Sequence, residues 1–265
     1  MSEAQVCDQV ARALADAEAT NRGIPPLRST WPNLDTDDAY EIQLLNVSRR
    51  VAAGGVVVGH KVGLTSLAMQ QMLGVDSPDY GHLFADMAVA NCGLIPAERF
   101  VAPRAEPEVA FVLKSRLSGP GLGVEDVLAA TDYVVPALEL IDSRIAGWQI
   151  GLVDTIADNA SSAGFVLGEP RTPADTPGLS DLLGDAAVAL VVDGESVEKG
   201  STQAVLGHPA LAVAWLAETL SGYGVALERG HIVLPGSCTR AVDAHAGAVV
   251  RAEFGGLGEV EVSFT

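Results

Sequence analysis

Cysteine is scarce in this chain and nowhere paired. Cys7, Cys92 and Cys238 are an odd, widely spaced set with no Cys-x-x-Cys, which excludes a disulfide framework and points to reduced thiols. Positive charge is short as well. Sixteen Lys and Arg stand against 34 Asp and Glu, a net charge of −18, and no basic cluster relieves it. Nucleic acid and anionic membranes are therefore excluded as main partners. No uncharged apolar run reaches the roughly 18 residues of a membrane span. Glu3 and Asp8 occupy the place where a signal peptide carries positive charge, so a cytoplasmic protein is expected. The five histidines (His60, His82, His208, His231, His245) form no H-x-H or H-E-x-x-H pair, and G-x-S-x-G is missing. The glycines of Gly119–Gly123 lack the G-x-G-x-x-G spacing. Zinc sites built on these histidines, hydrolases with a serine elbow and dinucleotide enzymes are thus without support.

What is present is material for a core. The 265 residues are 48% hydrophobic, with 28 Gly and 14 Pro, which fits a turn-rich globular chain, either one large domain or one with a small appendage. Val6, Val10, Ala13, Leu14 and Ala17 recur at helical steps and predict a helix over 4–20. A second helix is predicted from Thr36 as N-cap to Arg49 and Arg50, stopped by Gly54-Gly55. Ser66 can cap a short helix over 67–73, and Ser77–His82 reads as a polar turn. Residues 170–179 read as linker. Asp193-Gly194 marks a hairpin between Ala186–Val192 and Glu195–Glu198, and His208-Pro209 opens a helix running to Leu220. Further strands are predicted over 231–234, 248–254 and 259–264. The expected class is α+β with a mostly β core. A helical part over 1–75 precedes a β-rich part over 76–265.

The chemistry concentrates in two apolar strands. In Arg104–Leu113, Glu106 and Glu108 share one face, and Val109, Phe111 and Leu113 take the other. Ala110 and Val112 continue the glutamate face, which argues against a solvated surface. Tyr133–Ile141 carries a third carboxylate, Glu139, in its middle. Carboxylates so placed must be exposed, share a proton or hold a cation, and three of them suit Mg²⁺ or Mn²⁺. Lys61 stands in the apolar run Val56–Leu64. It either snorkels to the surface or points inward to anionic neighbours. Asp79 reads by default as a turn former, and Ser161, after Asp158-Asn159, as a cap or a site residue.

Assembled, these segments strongly resemble the 2-keto-4-pentenoate hydratases of the fumarylacetoacetate hydrolase superfamily. The resemblance rests on Gly59–Thr65, Gln71–Met87, Arg104–Glu108, Pro136–Glu139, Ser143–Ile145, Val153–Ser161 and Leu206–Pro209, nearly the whole length. It implies a mixed β-roll or sandwich core with a small N-terminal helical part. It also implies Glu106, Glu108 and Glu139 as Mg²⁺ or Mn²⁺ ligands, Lys61 and Asp79 as acid/base pair, and Lys61 and Ser161 as substrate contacts. The implied reaction adds water to a small 2-hydroxydienoate, 2-hydroxypenta-2,4-dienoate, in meta-cleavage degradation of aromatic compounds. Homo-oligomers, pentamer-based ones among them, are implied too, as is association with a 4-oxalocrotonate decarboxylase. The competing expectations are that decarboxylase itself, a hydratase for longer dienoates, and a non-catalytic scaffold. The intact acidic and basic residues speak against the scaffold.

Overall fold

The computed structural model describes residues 2–66, 70 and 77–265. The short helix expected over 67–73 lies, apart from Gln70, outside the described residues. Two sheets form the body. The larger is built from β1 (Val57–Gly63), β2 (Asp79–Phe84), β3 (Ala88–Val89), β5 (Arg104–Leu113), β6 (Thr131–Ile141), β7 (Ser162–Leu167), β10 (Ile232–Leu234) and β11 (Val242–Asp243). Its order is β2-β1-β10-β5-β6-β7-β3, with β11 also paired to β5. The smaller holds β4 (Gly93–Ile95), β8 (Ala187–Val192), β9 (Glu195–Ser201), β12 (Val249–Phe254) and β13 (Gly258–Phe264), in the order β4-β13-β12-β8-β9. The mixed α+β architecture agrees with the class expected from the sequence.

The period of two along each strand decides which face is which. Val109, Phe111, Leu138 and Leu140 of the large sheet pack with Val250, Val260, Val262 and Phe264 of the small one, forming the main core. The opposite face of β5 and β6 carries Ala110, Val135 and Ala137, which pack with Leu83, Phe84, Phe165 and Leu234. The same face carries the glutamates. The Asp193-Gly194 hairpin joins β8 to β9, and Val260, Val262 and Phe264 alternate inward along β13.

A helical layer covers the far side. Helices α1 (Glu3–Thr20), α2 (Leu27–Thr30) and α3 (Thr36–Ala52) bury Val10, Leu14, Leu27 and Ile42 against Val153 and Ile156 of the helix Leu152–Ala157. Gln43 of α3 ties this layer to the sheet, its Nε2 donating to Tyr80 O at 3.0 Å and Ile156 O at 2.8 Å. Asp154 fastens the proline-rich loop, accepting from Leu27 N at 2.7 Å and Gly151 N at 2.8 Å. Strand β1 crosses between the parts: it falls before residue 75 yet pairs with β2 and β10 of the large sheet.

Three local expectations are corrected. The N-cap of α3 is Asp35, whose side chain accepts from Asp38 N at 3.0 Å while Asp38 accepts from Asp35 N at 3.1 Å. A carboxylate one residue earlier reaches the free N–H groups in both directions, which Thr36 cannot do. The polar turn over 77–82 ends at Asp79, where β2 begins and stays buried along its length. The linker over 170–179 is followed by an unexpected helix, Leu179–Asp185, held by burial of Leu179 and Leu183.

Candidate active site

Register brings the acidic residues together. Glu106 stands opposite Glu139 across the β5–β6 ladder, and Glu108, two residues along, shares the face. One carboxylate oxygen from each lies within 4.8 Å of the other two. Glu108 and Glu139 are wholly buried and Glu106 partly so. Glu108 Oε2 accepts from Gly236 N at 2.8 Å, but Glu108 Oε1 and both oxygens of Glu139 have no hydrogen-bond partner. Burial lifts all three above the ordinary carboxylate range, and mutual repulsion adds to it at Glu106 and Glu108. Glu106 rises to about 7. Buried oxygens without partners on Glu108 and Glu139, with a Glu106 oxygen within 4.8 Å of them, are what a hard divalent cation requires. The donor set fits one.

Lys61 points inward and is 4% exposed. Its Nζ lies 3.4 Å from Glu139 Oε2 and donates to Ala160 O at 2.9 Å. Burial alone would lower its pKa, but Glu139, then Asp79, Glu106 and Glu108, outweigh that and raise it. These carboxylates favour the ammonium form. Asp79 faces Gly63 across the β1–β2 ladder and is buried. A Cβ on Gly63 would sit 2.2 Å from Asp79 Oδ1 and 3.3 Å from Lys61 Nζ, so only glycine lets the two approach there. Burial raises Asp79, and Lys61 and the Thr155 hydroxyl counter part of the rise. Oδ1 of Asp79 has no partner. Ser161 is buried with its Oγ 3.3 Å from Thr155 Oγ1, the same hydroxyl that lowers Asp79. The site thus gathers all six residues singled out in the sequence.

Others were not singled out there. Thr155 stands in an ordinary helical stretch and gives no signal. Gly236 follows Pro235, a turn signal, and its φ of 120° lets it reach Glu108 where a Cβ would strike Thr65 Oγ1 at 2.1 Å.

On the other face of β1 and β2, His60 pairs with His82, their rings 4.9 Å apart, and His231 lies 5.8 Å from His60. Burial depresses all three, His82 to about 4. The unfolded chain protonates them near pH 6.5, so it binds more protons and stability falls as pH drops from about 6.5 toward 4. The buried carboxylates act in the opposite direction, and a difference between variants removes them. His82→Phe is expected to lose less melting temperature than the parent between pH 7 and pH 4.5 in scanning calorimetry. Parallel losses would count against this.

Comparison with known proteins shows the family. The family model "Fumarylacetoacetate (FAA) hydrolase C-terminal" matches residues 61–265. The 2-keto-4-pentenoate hydratase of Paraburkholderia xenovorans (strain LB400) is 43% identical over 257 residues, 97% of this chain and 94% of that one. The 2-hydroxyhexa-2,4-dienoate hydratase of Comamonas testosteroni is 40% identical over 267 residues, covering both chains in full. Among solved structures, 4-oxalocrotonate decarboxylase from Pseudomonas putida G7, complexed with magnesium and adipate, superposes with a TM-score of 0.93 at 34% identity, over 100% of this chain and 99% of that one. The chain belongs to the 2-keto-4-pentenoate hydratase family of the fumarylacetoacetate hydrolase superfamily.

Proposed function

We propose that this protein is a hydro-lyase that adds water to 2-hydroxypenta-2,4-dienoate to give 4-hydroxy-2-oxopentanoate. The observation that carries the reading is the buried Lys61 ammonium set 3.4 Å from Glu139, with Asp79 on the neighbouring strand opposite Gly63. Glu106, Glu108 and Glu139 would hold Mg²⁺ or Mn²⁺, which when bound supplies Lewis acidity toward the carboxylate and 2-oxygen of the substrate.

The remaining work is proton transfer by the chain's own groups. Lys61 and Asp79 together take the proton from the 2-hydroxyl and deliver one to C5. That leaves a 2-oxo-3-enoate, electrophilic at C4. Water enters at C4 and C3 takes a proton, so one water is consumed and no net proton is gained. A charged Lys61 also faces the negative charge that grows on the substrate oxygen. Asp79, raised by burial, holds a proton more readily than an exposed aspartate does. The Ser161 hydroxyl, oriented by Thr155, binds the substrate carboxylate. The same reading takes the protein as a cytoplasmic homo-oligomer in meta-cleavage degradation of aromatic compounds.

Loss of the substrate's ultraviolet absorbance with Mg²⁺ present, run beside 4-oxalocrotonate, tests it. Faster turnover of the oxalocrotonate with release of CO₂ would replace hydration by decarboxylation. Oxalate, which offers the same pair of oxygens, is expected to inhibit competitively and to bind only with Mg²⁺ present. The bare glutamate cluster repels a dianion. Equal oxalate binding to metal-free protein in titration calorimetry would contradict the metal assignment.

A further inference from the structure

Asn159, Ala160 and Ser161 have φ of 55°, 50° and 57°, three consecutive non-glycine residues in the left-handed region. Asn tolerates that region through local hydrogen bonds; Ala has no such means. A run of this kind persists only where its surroundings over-determine it. Here they do. Asn159 Oδ1 accepts from His82 N at 2.8 Å and its Nδ2 donates to His82 O at 2.9 Å, so one side chain pairs with β2 as a strand residue would. Gly81 makes the approach possible, since a Cβ there would stand 2.4 Å from Asn159 O. Arg144 holds the flank, donating from N and Nε to Asp158 at 2.8 and 2.5 Å and from its guanidinium to Asp158 O at 2.7 Å. Ser161 O accepts from Asp142 N at 2.9 Å.

The turn held this way presents one group to the site. Ala160 O, in its middle, accepts from Lys61 Nζ at 2.9 Å. Handedness sets where that carbonyl points, and the carbonyl is the closest hydrogen-bond partner that Lys61 has. We propose that Asn159 is a positioning residue for Lys61: its two-point bond to β2 holds the left-handed turn and thereby fixes the Ala160 carbonyl that aims the ammonium. The inference rests on the reading of Lys61 as a proton-transfer group.

Asn159→Gly tests it, because glycine takes positive φ without strain while both bonds to His82 are lost. With Mg²⁺ bound, kcat is expected to fall by up to about 10²-fold, the cost of a small misplacement of a reacting group. KM and oxalate affinity should change less than kcat, within about tenfold, since Ser161 at the end of the turn keeps its own supports in Asp142 N and Thr155 Oγ1. Asn159→Asp keeps the acceptor and loses the donor, and should fall between. A second readout needs no turnover. The chain has only three lysines, Lys61, Lys114 and Lys199, so ¹⁵N-lysine labelling gives a simple ammonium spectrum in which loss of a signal in Lys61→Arg assigns it. That signal should shift in Asn159→Gly while the other two stay. Wild-type kcat with an unmoved Lys61 signal would overturn the proposal. So would an early-melting variant whose kcat per folded molecule and Lys61 signal are both unchanged. If the wild type ignores the dienoate, the proposed reaction fails, and the ammonium spectra still decide the positioning.

Discussion

Lys61→Ala is expected to lower kcat by more than the roughly 10²–10⁴-fold that one general acid/base group contributes. Two effects add. The variant loses a proton donor, and it loses the positive charge that lies 3.4 Å from Glu139 and offsets Asp79, Glu106 and Glu108. Removing one partner of a buried ion pair leaves the other uncompensated, so the variant should also melt earlier unless metal is bound. Asp79→Asn is the milder comparison. It keeps the shape of a buried side chain at the start of β2 and replaces the ionisable carboxyl by a neutral amide, so its loss should stay within about 10²–10⁴-fold with oxalate affinity little changed. The assay is kcat, oxalate affinity and melting temperature on both variants. An Asp79→Asn protein that melts early yet turns over normally per folded molecule would make Asp79 a structural residue. A Lys61→Ala protein with nearly full kcat would remove Lys61 from the chemistry.

The glutamates and Lys61 were legible in the sequence for one reason: each is a charge inside a run of Val, Ala and Leu. Strand periodicity then put Glu106 and Glu108 on one face without reference to any fold. It could not supply the register that sets Glu106 against Glu139, because a ladder between distant segments leaves no local trace. Asp79 was hidden differently. Ser77-Pro78-Asp79-Tyr80-Gly81 has turn chemistry, and pairing with β1 overrides it. The resemblance to a family singled out Asp79 and Ser161; periodicity did not. Thr155 and the left-handed turn at Ala160 had no signal, because both are set by what packs around them. The cap at Asp35 was readable, since Asp-x-x-Asp carries the reciprocal bond that Thr36 lacks. The helix Leu179–Asp185 was masked by the proline- and glycine-rich stretch before it, and burial of two leucines decides it.

Glu108→Gln is expected to invert the order of stability between the metal-free and metal-loaded protein. Without a cation the Glu108 carboxylate is disfavoured by burial and by Glu139 and Glu106, so its pKa lies well above the usual range. A carboxyl raised in this way contributes stability below its unfolded pKa and loses it as pH rises toward the folded one. At pH 7 to 8 the wild type therefore bears the penalty and the neutral amide does not. The amide oxygen can still accept from Gly236 N, which Glu108 Oε2 meets at 2.8 Å, and its NH₂ can donate to a neighbouring glutamate. The metal-free variant should melt at or above the wild type, with an advantage that shrinks toward pH 5. Added Mg²⁺ reverses this. A cation at 100 times its Kd stabilises by about 2.7 kcal/mol, which for a chain of this size is roughly 5–10 °C. The variant, short of one anionic ligand, should gain little of it and lose most turnover at the same Mg²⁺. Scanning calorimetry of both proteins, with chelator and with Mg²⁺, reads all four states. If Glu108→Gln melts lower without metal and gains as much as the wild type with it, Glu108 supports the fold and does not hold the cation.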